Sequence, residues 1–178
     1  MNPLHIIEQY YTVGTPLYDT LVLHSESVTR KALLLAGKHP ELALDIEFVA
    51  EAAMLHDVGI YQTYAPTIFC FGTHAYIEHG YLGADLLRAC GLEKHALVAE
   101  RHTGTGLPLA TIEKQQLPLP RRDMCPISLE EQLICYADKF FSKTRLTEEA
   151  SIDKIRHSLS KFGDESVAQF DYWSNLFG

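Results

Sequence analysis

The chain has 178 residues, 47% of them hydrophobic and 21% charged, with 15 basic against 23 acidic side chains and a formal charge of -8. That length suits one domain spanning 1–178 with a sizeable core, and no apolar run approaches the roughly 18 residues that cross a bilayer. The acid excess argues against a broad surface for polymeric nucleic acid or anionic membrane. The start "MNPLHIIEQYY" lacks the basic and apolar stretches of a signal peptide, so the cytoplasm is the expected location.

Strand signals are scarce and helix start and stop signals recur, which predicts an all-α fold of about seven to eight helices. Asn2-Pro3 opens a first helix expected to stop near Gly14, and Thr15-Pro16 opens the second. Along that second helix Leu17, Leu21, His24, Val28, Ala32 and Leu35 make one stripe, with His24 inside it. A third helix follows an Asp45 cap and is expected to end near Gly59. The fourth covers about Ala75 to Cys90, and the fifth runs from Glu93 to His102 before "TGTGLP" breaks it.

Between Leu107 and Ile127 the prolines at 108, 118, 120 and 126 predict an irregular segment, a candidate lid. Ser128 and Glu131 form a capping box for a sixth helix reaching Lys143. Two amphipathic helices, about Ser151 to Phe162 and Asp164 to Phe177, close the chain. Ile152, Ile155, Leu159 and Phe162 in one, and Val167, Phe170 and Trp173 in the other, are the expected core positions. Cys70, Cys90, Cys125 and Cys135 show no zinc-ligand spacing and read as reduced apolar residues.

Histidine is the unusual count, nine in all. His24, His79, His102 and Asp138 fall on four helices, each on or beside an apolar face, and His56-Asp57 ends another. Singly, each is compatible with a hydrogen-bonded core residue. Desolvating them separately is expensive, however, and divalent cations can satisfy several together. Four imidazoles with two carboxylates suit iron, manganese, cobalt, nickel or zinc better than calcium or magnesium. His5, His39, His95 and His157 are left outside this set.

The order His24, then "LHDVG" (55–59), "IEHGYLGADLL" (77–87), "ERHTGTG" (100–106) and "YADKFFSK" (136–143) resembles the HD-domain metal-dependent phosphohydrolases. The likeness covers about residues 20–145 and is nearest, in motif context, to the HD-type symmetrical diadenosine tetraphosphate hydrolases. It implies an HD-domain helical bundle with His24, His56, Asp57 and Asp138 on one metal and Asp57, His79 and His102 on a second. Two divalent metals per chain are thus implied, iron or manganese favoured, with Asp57, His79, His102 and Lys139 in the catalytic set. "HTGTGLP" also resembles a segment of cyclic dinucleotide phosphodiesterases, but Leu107 stands where they carry tyrosine, and the acid before it is absent.

The implied reaction is hydrolysis of a phosphate ester or anhydride of a nucleotide or dinucleotide. Arg101, Lys139, Lys143, Arg145 and His74 are the candidate substrate contacts, the alternative for the lysines and arginines being solvated helix surface. Tyr61, Tyr64 and Phe71 either stack a nucleobase or pack their loop onto the bundle. The expected partner is a small phosphorylated molecule, not polymeric nucleic acid or membrane, and a homodimer is compatible with the sequence. Two other readings share the ligand set: a mixed-valence di-iron oxygenase, and a metal-stabilised nucleotide-binding regulatory module without turnover.

Overall fold

The stripe that begins at Leu17 forms a long helix, α2 (Pro16–Lys38), started by the Thr15 side chain accepting the Tyr18 N–H. It is the spine of a computed structural model that describes residues 1–146 and 148–178. The architecture is all-α, as the sequence predicts. The other helices are α1 (Pro3–Ile7), α3 (Ile46–Leu55), α4 (His79–Ala89), α5 (Glu93–Arg101), α6 (Leu109–Lys114), α7 (Leu129–Asp138), α8 (Ile152–Leu159) and α9 (Asp164–Phe177). No helix among the described residues is long and apolar enough to cross a membrane. All four cysteines are free.

Several boundaries differ from expectation, each for a physical reason. α1 stops at Ile7, well before Gly14, because Tyr11 turns inward and its hydroxyl donates to the Val58 carbonyl at 2.7 Å. α3 ends at Leu55 and α7 at Asp138, so neither reaches Gly59 or Lys143. After α7 the Lys139 N–H turns to the Tyr136 carbonyl, a tightened bond that ends the helix and lets the chain double back. Among the described residues nine α-helices replace the expected seven to eight, because α6 lies inside the proline-rich segment. Its first N–H, on Leu109, is accepted by Asp123 Oδ1 at 2.8 Å, a cap fourteen residues away that local pattern does not reveal.

A two-stranded antiparallel hairpin was also unforeseen. It pairs β1 (Tyr64–Ala65) with β2 (Cys70–Phe71), Tyr64 opposite Phe71. Tyr64 and Phe71 stand exposed on it, while Tyr61 packs against Tyr10 and Tyr11. At the C-terminal end Ile155, Leu159, Phe170 and Trp173 are buried as expected, and Val167 is half-buried. Ile152 and Phe162 are not core: they are 46% and 74% exposed, at the first residue of α8 and just before the Gly163 turn.

Two apolar clusters meet along the middle of the bundle. One joins Val28, Ala32 and Leu35 of α2 to α3, α7, α8 and α9. The other joins Leu21 of α2 and Leu55 of α3 to α1, α4, α5 and the hairpin. His24 lies between Leu21 and Val28, at the seam. The segment after α3 reaches α4 through facing glycines, since a Cβ on Gly59 would collide with the His79 carbonyl and the backbone of Gly83.

Gly59→Ala should therefore destabilise the fold by about 1–3 kcal/mol, through forced backbone separation. Gly37→Ala, in α2 with nothing near its Cβ position, should be neutral or stabilising by up to about 1 kcal/mol. Thermal and urea denaturation of the pair provide the check, and an undisturbed Gly59→Ala midpoint would contradict the close approach.

Candidate metal centre

At the seam the chain buries six side chains that cost free energy there alone. His24, His56 and Asp57 are fully buried, and His79, His102 and Asp138 are at most 9% exposed. Only His24 is mid-helix. His56 and His102 cap the C-terminal ends of α3 and α5, His79 begins α4, and Asp138 ends α7. Asp57 sits in the turn after α3. A straight helix would spread His56 and Asp57 by about 100°; because α3 has already ended, His56 Nε2 and Asp57 Oδ2 come within 3.1 Å.

One local device orients three of the imidazoles. His56 Nδ1 lies 2.6 Å from the Ala53 carbonyl, His79 Nδ1 2.7 Å from Tyr76 and His102 Nδ1 2.8 Å from Ala99, in each case the residue three positions back. For His56 and His102 those carbonyls belong to the last helical turn, which has no intrahelical donor. The Nδ1–H donates to the carbonyl, which leaves Nε2 as the ring atom facing the interior. This is the arrangement that metal-ligating histidines adopt.

Around Asp57 these Nε2 atoms fall into two sets. Oδ2 lies 3.1 Å from His24 Nε2 and 3.1 Å from His56 Nε2, while Oδ1 lies 3.4 Å from His79 Nε2 and 3.3 Å from His102 Nε2. Asp138 Oδ1 closes the first set, 3.0 Å from His24 Nε2. In each set one ligand atom per residue lies within 4.8 Å of all the others. Yet neither Asp57 oxygen, nor His56 Nε2, nor His24 Nδ1 makes an aligned hydrogen bond. His79 Nε2 and His102 Nε2 face each other at 3.0 Å with both Nδ1–H groups committed elsewhere. Acceptors pointed at one another in the interior repel unless a cation lies among them, so the donor set fits a divalent metal.

Electrostatics divides the two sets. Burial alone would raise the Asp57 carboxyl, but the Lys143 ammonium, then His56, with the His102 and His24 rings close by, hold it well below the usual carboxylate range. Asp138 is likewise held low against its burial, chiefly by Lys139 and His24. Burial disfavours charge on His56, yet Asp57 and Asp138 outweigh it and push the imidazole up to about 9. Burial and the neighbouring His102 push His79 down to about 3. His102 is lowered too, mainly by burial. The His79–His102 side therefore presents neutral nitrogen donors across the neutral pH range.

Of the candidate substrate contacts, two lysines come to the cluster. Lys143 Nζ lies 2.5 Å from Asp57 Oδ2, and Lys139 Nζ lies 2.8 Å from Asp138 Oδ2 while donating to the His102 carbonyl at 3.3 Å. Arg101, Arg145 and His74 are not brought there. Arg101 pairs with the buried Glu131 at 3.0 Å, His74 bonds Glu78 at 3.1 Å, and Arg145 is half exposed beside Glu148. Sequence reasoning missed Tyr76, whose ring stacks on His79 with 4.8 Å between centroids. It also missed Cys135, whose thiol donates to the His102 carbonyl at 3.3 Å. The face carrying Asp138, Lys143 and Tyr76 opens into a cavity of about 350 Å³.

The HD domain family matches residues 21–142, which contain all six clustered side chains. An uncharacterized protein of Methanocaldococcus jannaschii is 36% identical over 147 residues, covering 80% of this chain and 79% of its own length. The tRNA (cytidine(56)-2'-O)-methyltransferases of Picrophilus torridus and Thermoplasma volcanium are 31% and 29% identical. They are matched over 72% and 85% of this chain, but only 33% and 40% of their own lengths. No solved structure matches significantly. With the match spanning well over half of the chain and enclosing the whole cluster, the chain belongs to the HD domain family.

Proposed function

We propose that the chain is a metal-dependent phosphohydrolase that cleaves a phosphate ester or anhydride of a nucleotide or dinucleotide. The observation that supports it best is the Asp57 carboxylate, with one oxygen turned to His24 and His56 and the other to His79 and His102. His24, His56, Asp57 and Asp138 would hold one divalent transition metal and Asp57, His79 and His102 another, iron or manganese being favoured. Such cations, when bound, lower the pKa of a coordinated water and polarise a phosphoryl oxygen.

The chain's own groups supply the rest. Lys143 and Lys139 present ammonium donors to the remaining phosphoryl charge from half-buried positions, where a reduced dielectric strengthens them. Asp57, held ionised, orients both halves of the cluster. The three backbone-anchored imidazoles keep their Nε2 atoms fixed and need no reorganisation. The partner in this reading is a small phosphorylated molecule. The methyl transfer named for the two longer relatives is not carried over, since the chain spans less than half of each.

Metal analysis of aerobically and anaerobically purified protein, with chromatographic detection of hydrolysis products (phosphate or nucleoside phosphates) from mono-, di- and dinucleoside polyphosphates, tests the reading. Bound metal with hydrolysis is expected; oxygen consumption without hydrolysis would replace it by oxygenase chemistry.

Asp57→Ala should abolish turnover and cut metal content. Manganese at a hundredfold excess over its Kd should stabilise the wild type by about 2.7 kcal/mol and the variant by far less, in thermal melts at fixed protein concentration. Lys143→Ala should lower kcat/KM by about 100-fold with metal content retained; loss of the metal as well would make Lys143 a structural support. Because Asp57 and Asp138 push the buried His56 imidazole up to about 9, it favours a proton at pH 7 that a ligated imidazole cannot keep. Metal uptake should release protons, and affinity should rise with pH until it levels off near 9. Calorimetry in buffers of different ionisation enthalpy reads this directly, and buffer-independent heats would contradict it.

A further inference from the structure

His79 borders a second cavity, of about 480 Å³, whose described lining does not include Lys139 or Lys143. That lies within the roughly 300–1,000 Å³ of small-molecule pockets. One wall comes from the turn after α5 and from α6, with Thr103, Leu107, Thr111 and Gln115. The other comes from Leu159, Phe162, Glu165, Ser166 and Gln169, all beyond residue 142, where the family match ends.

This cavity and the one at Lys143 share Tyr76 in their walls but differ in chemistry. Lys143 and Asp138 line the smaller one. Among the described residues no lysine or arginine lines the larger one, and Glu165 is the only acidic residue that does. Its walls combine apolar surface with two side-chain amides and several hydroxyls. Phe162, 74% exposed and outside both apolar clusters, is placed at this pocket by the turn at Gly163, whose φ is 107°. A phosphate meets hydroxyl and amide donors there but no neutralising cation among the described lining residues, and Glu165 repels it. A flat heteroaromatic base gains an aromatic contact, and its amino and ring nitrogens, with sugar hydroxyls, match amides and a carboxylate.

We infer that this cavity is a specificity pocket for the uncharged nucleoside part of the substrate, with Phe162, Glu165 and Gln169 of the C-terminal helices as its discriminating wall. The inference rests on the phosphohydrolase reading for where the phosphate goes, at the cluster with Lys143. The last two helices then select the substrate, beyond their share in closing the apolar core.

The test compares kcat/KM for the four common nucleoside 5'-monophosphates with that for glycerol phosphate, on the manganese-loaded full chain. In Phe162→Ala and Gln169→Leu the nucleotide-to-glycerol-phosphate ratio should fall by at least about tenfold, mainly through KM for the nucleotide. Tyr172→Ala, an exposed position on α9 that does not line the pocket, should leave the ratio alone. An unmoved ratio in the first two variants, or an equal fall in the third, overturns the inference while hydrolysis stands. If none of these compounds is hydrolysed, the monoester form of the phosphohydrolase reading fails, and calorimetric binding of the free nucleosides decides the pocket by itself. Binding by the wild type that both wall variants lose supports it; no binding by the wild type overturns it.

Discussion

Asp57 is fully buried, and an ionised carboxylate in such a place costs several kcal/mol unless positive or hydrogen-bonding groups surround it. The rest of the bundle can be understood as the arrangement that supplies them. α2 brings His24, the end of α3 brings His56, the start of α4 brings His79 and the end of α5 brings His102, each from a different direction. The lysines follow on the chain after α7. Because both carboxylate oxygens are engaged, on opposite sides, the site cannot be assembled from fewer elements than these. It also cannot sit inside one apolar cluster, and it occupies the seam between two.

Helix ends are the means by which short segments aim imidazoles so consistently. A helix terminus carries carbonyls with no partner in the helix, and a histidine just beyond can donate Nδ1–H to one of them. The donation removes a buried unsatisfied acceptor and, in the same act, fixes the ring so that Nε2 points onward. His56 and His102 do this at true helix ends, and His79 does it across a 3-10 turn at Tyr76–Glu78. The glycines at 59 and 83 complete the device, letting the turn that carries Asp57 lie directly against the helix that begins with His79.

The members of the cluster were legible because each is a polar residue where helical periodicity demands an apolar one, or stands where a helix must stop. The all-α class was legible for the same reason, from strong 3.6-residue patterns and caps at Thr15, Asp45 and Ser128 that the structure reproduces. What could not be read depends on partners far apart in sequence. Asp123 starts α6 from fourteen residues away, and Arg101 turns to Glu131 because α7 packs beside α5. Whether Phe162 is core or rim depends on where Gly163 sends the chain, and amphipathic spacing alone places it in the core. Lys143 was expected as one basic residue among several; its place over Asp57 follows from the early end of α7, which the continuous "YADKFFSK" run conceals.

The proline-rich segment between Leu107 and Ile127, a candidate lid from its sequence, is tied down at several points. Leu107 and Met124 exchange both backbone hydrogen bonds at 2.9 Å, and Asp123 caps α6. Arg122 and Arg88 grip the buried Glu100 carboxylate at 3.0 and 3.1 Å. Glu131 accepts from the Ile127 N–H while it holds Arg101. A wall fixed in this way is ordered during folding, so a ligand meeting it does not bear that entropic cost again on binding. The opposite wall is different in kind: α8 and α9 pack on the α7 side, and the pocket-facing residues Phe162, Glu165 and Gln169 lie at or near their exposed junction. Chemistry held rigidly by the matched segment and selection supplied by appended helices are physically separable. Changes at that junction can therefore alter which molecule is held without disturbing the carboxylate and imidazoles at the seam.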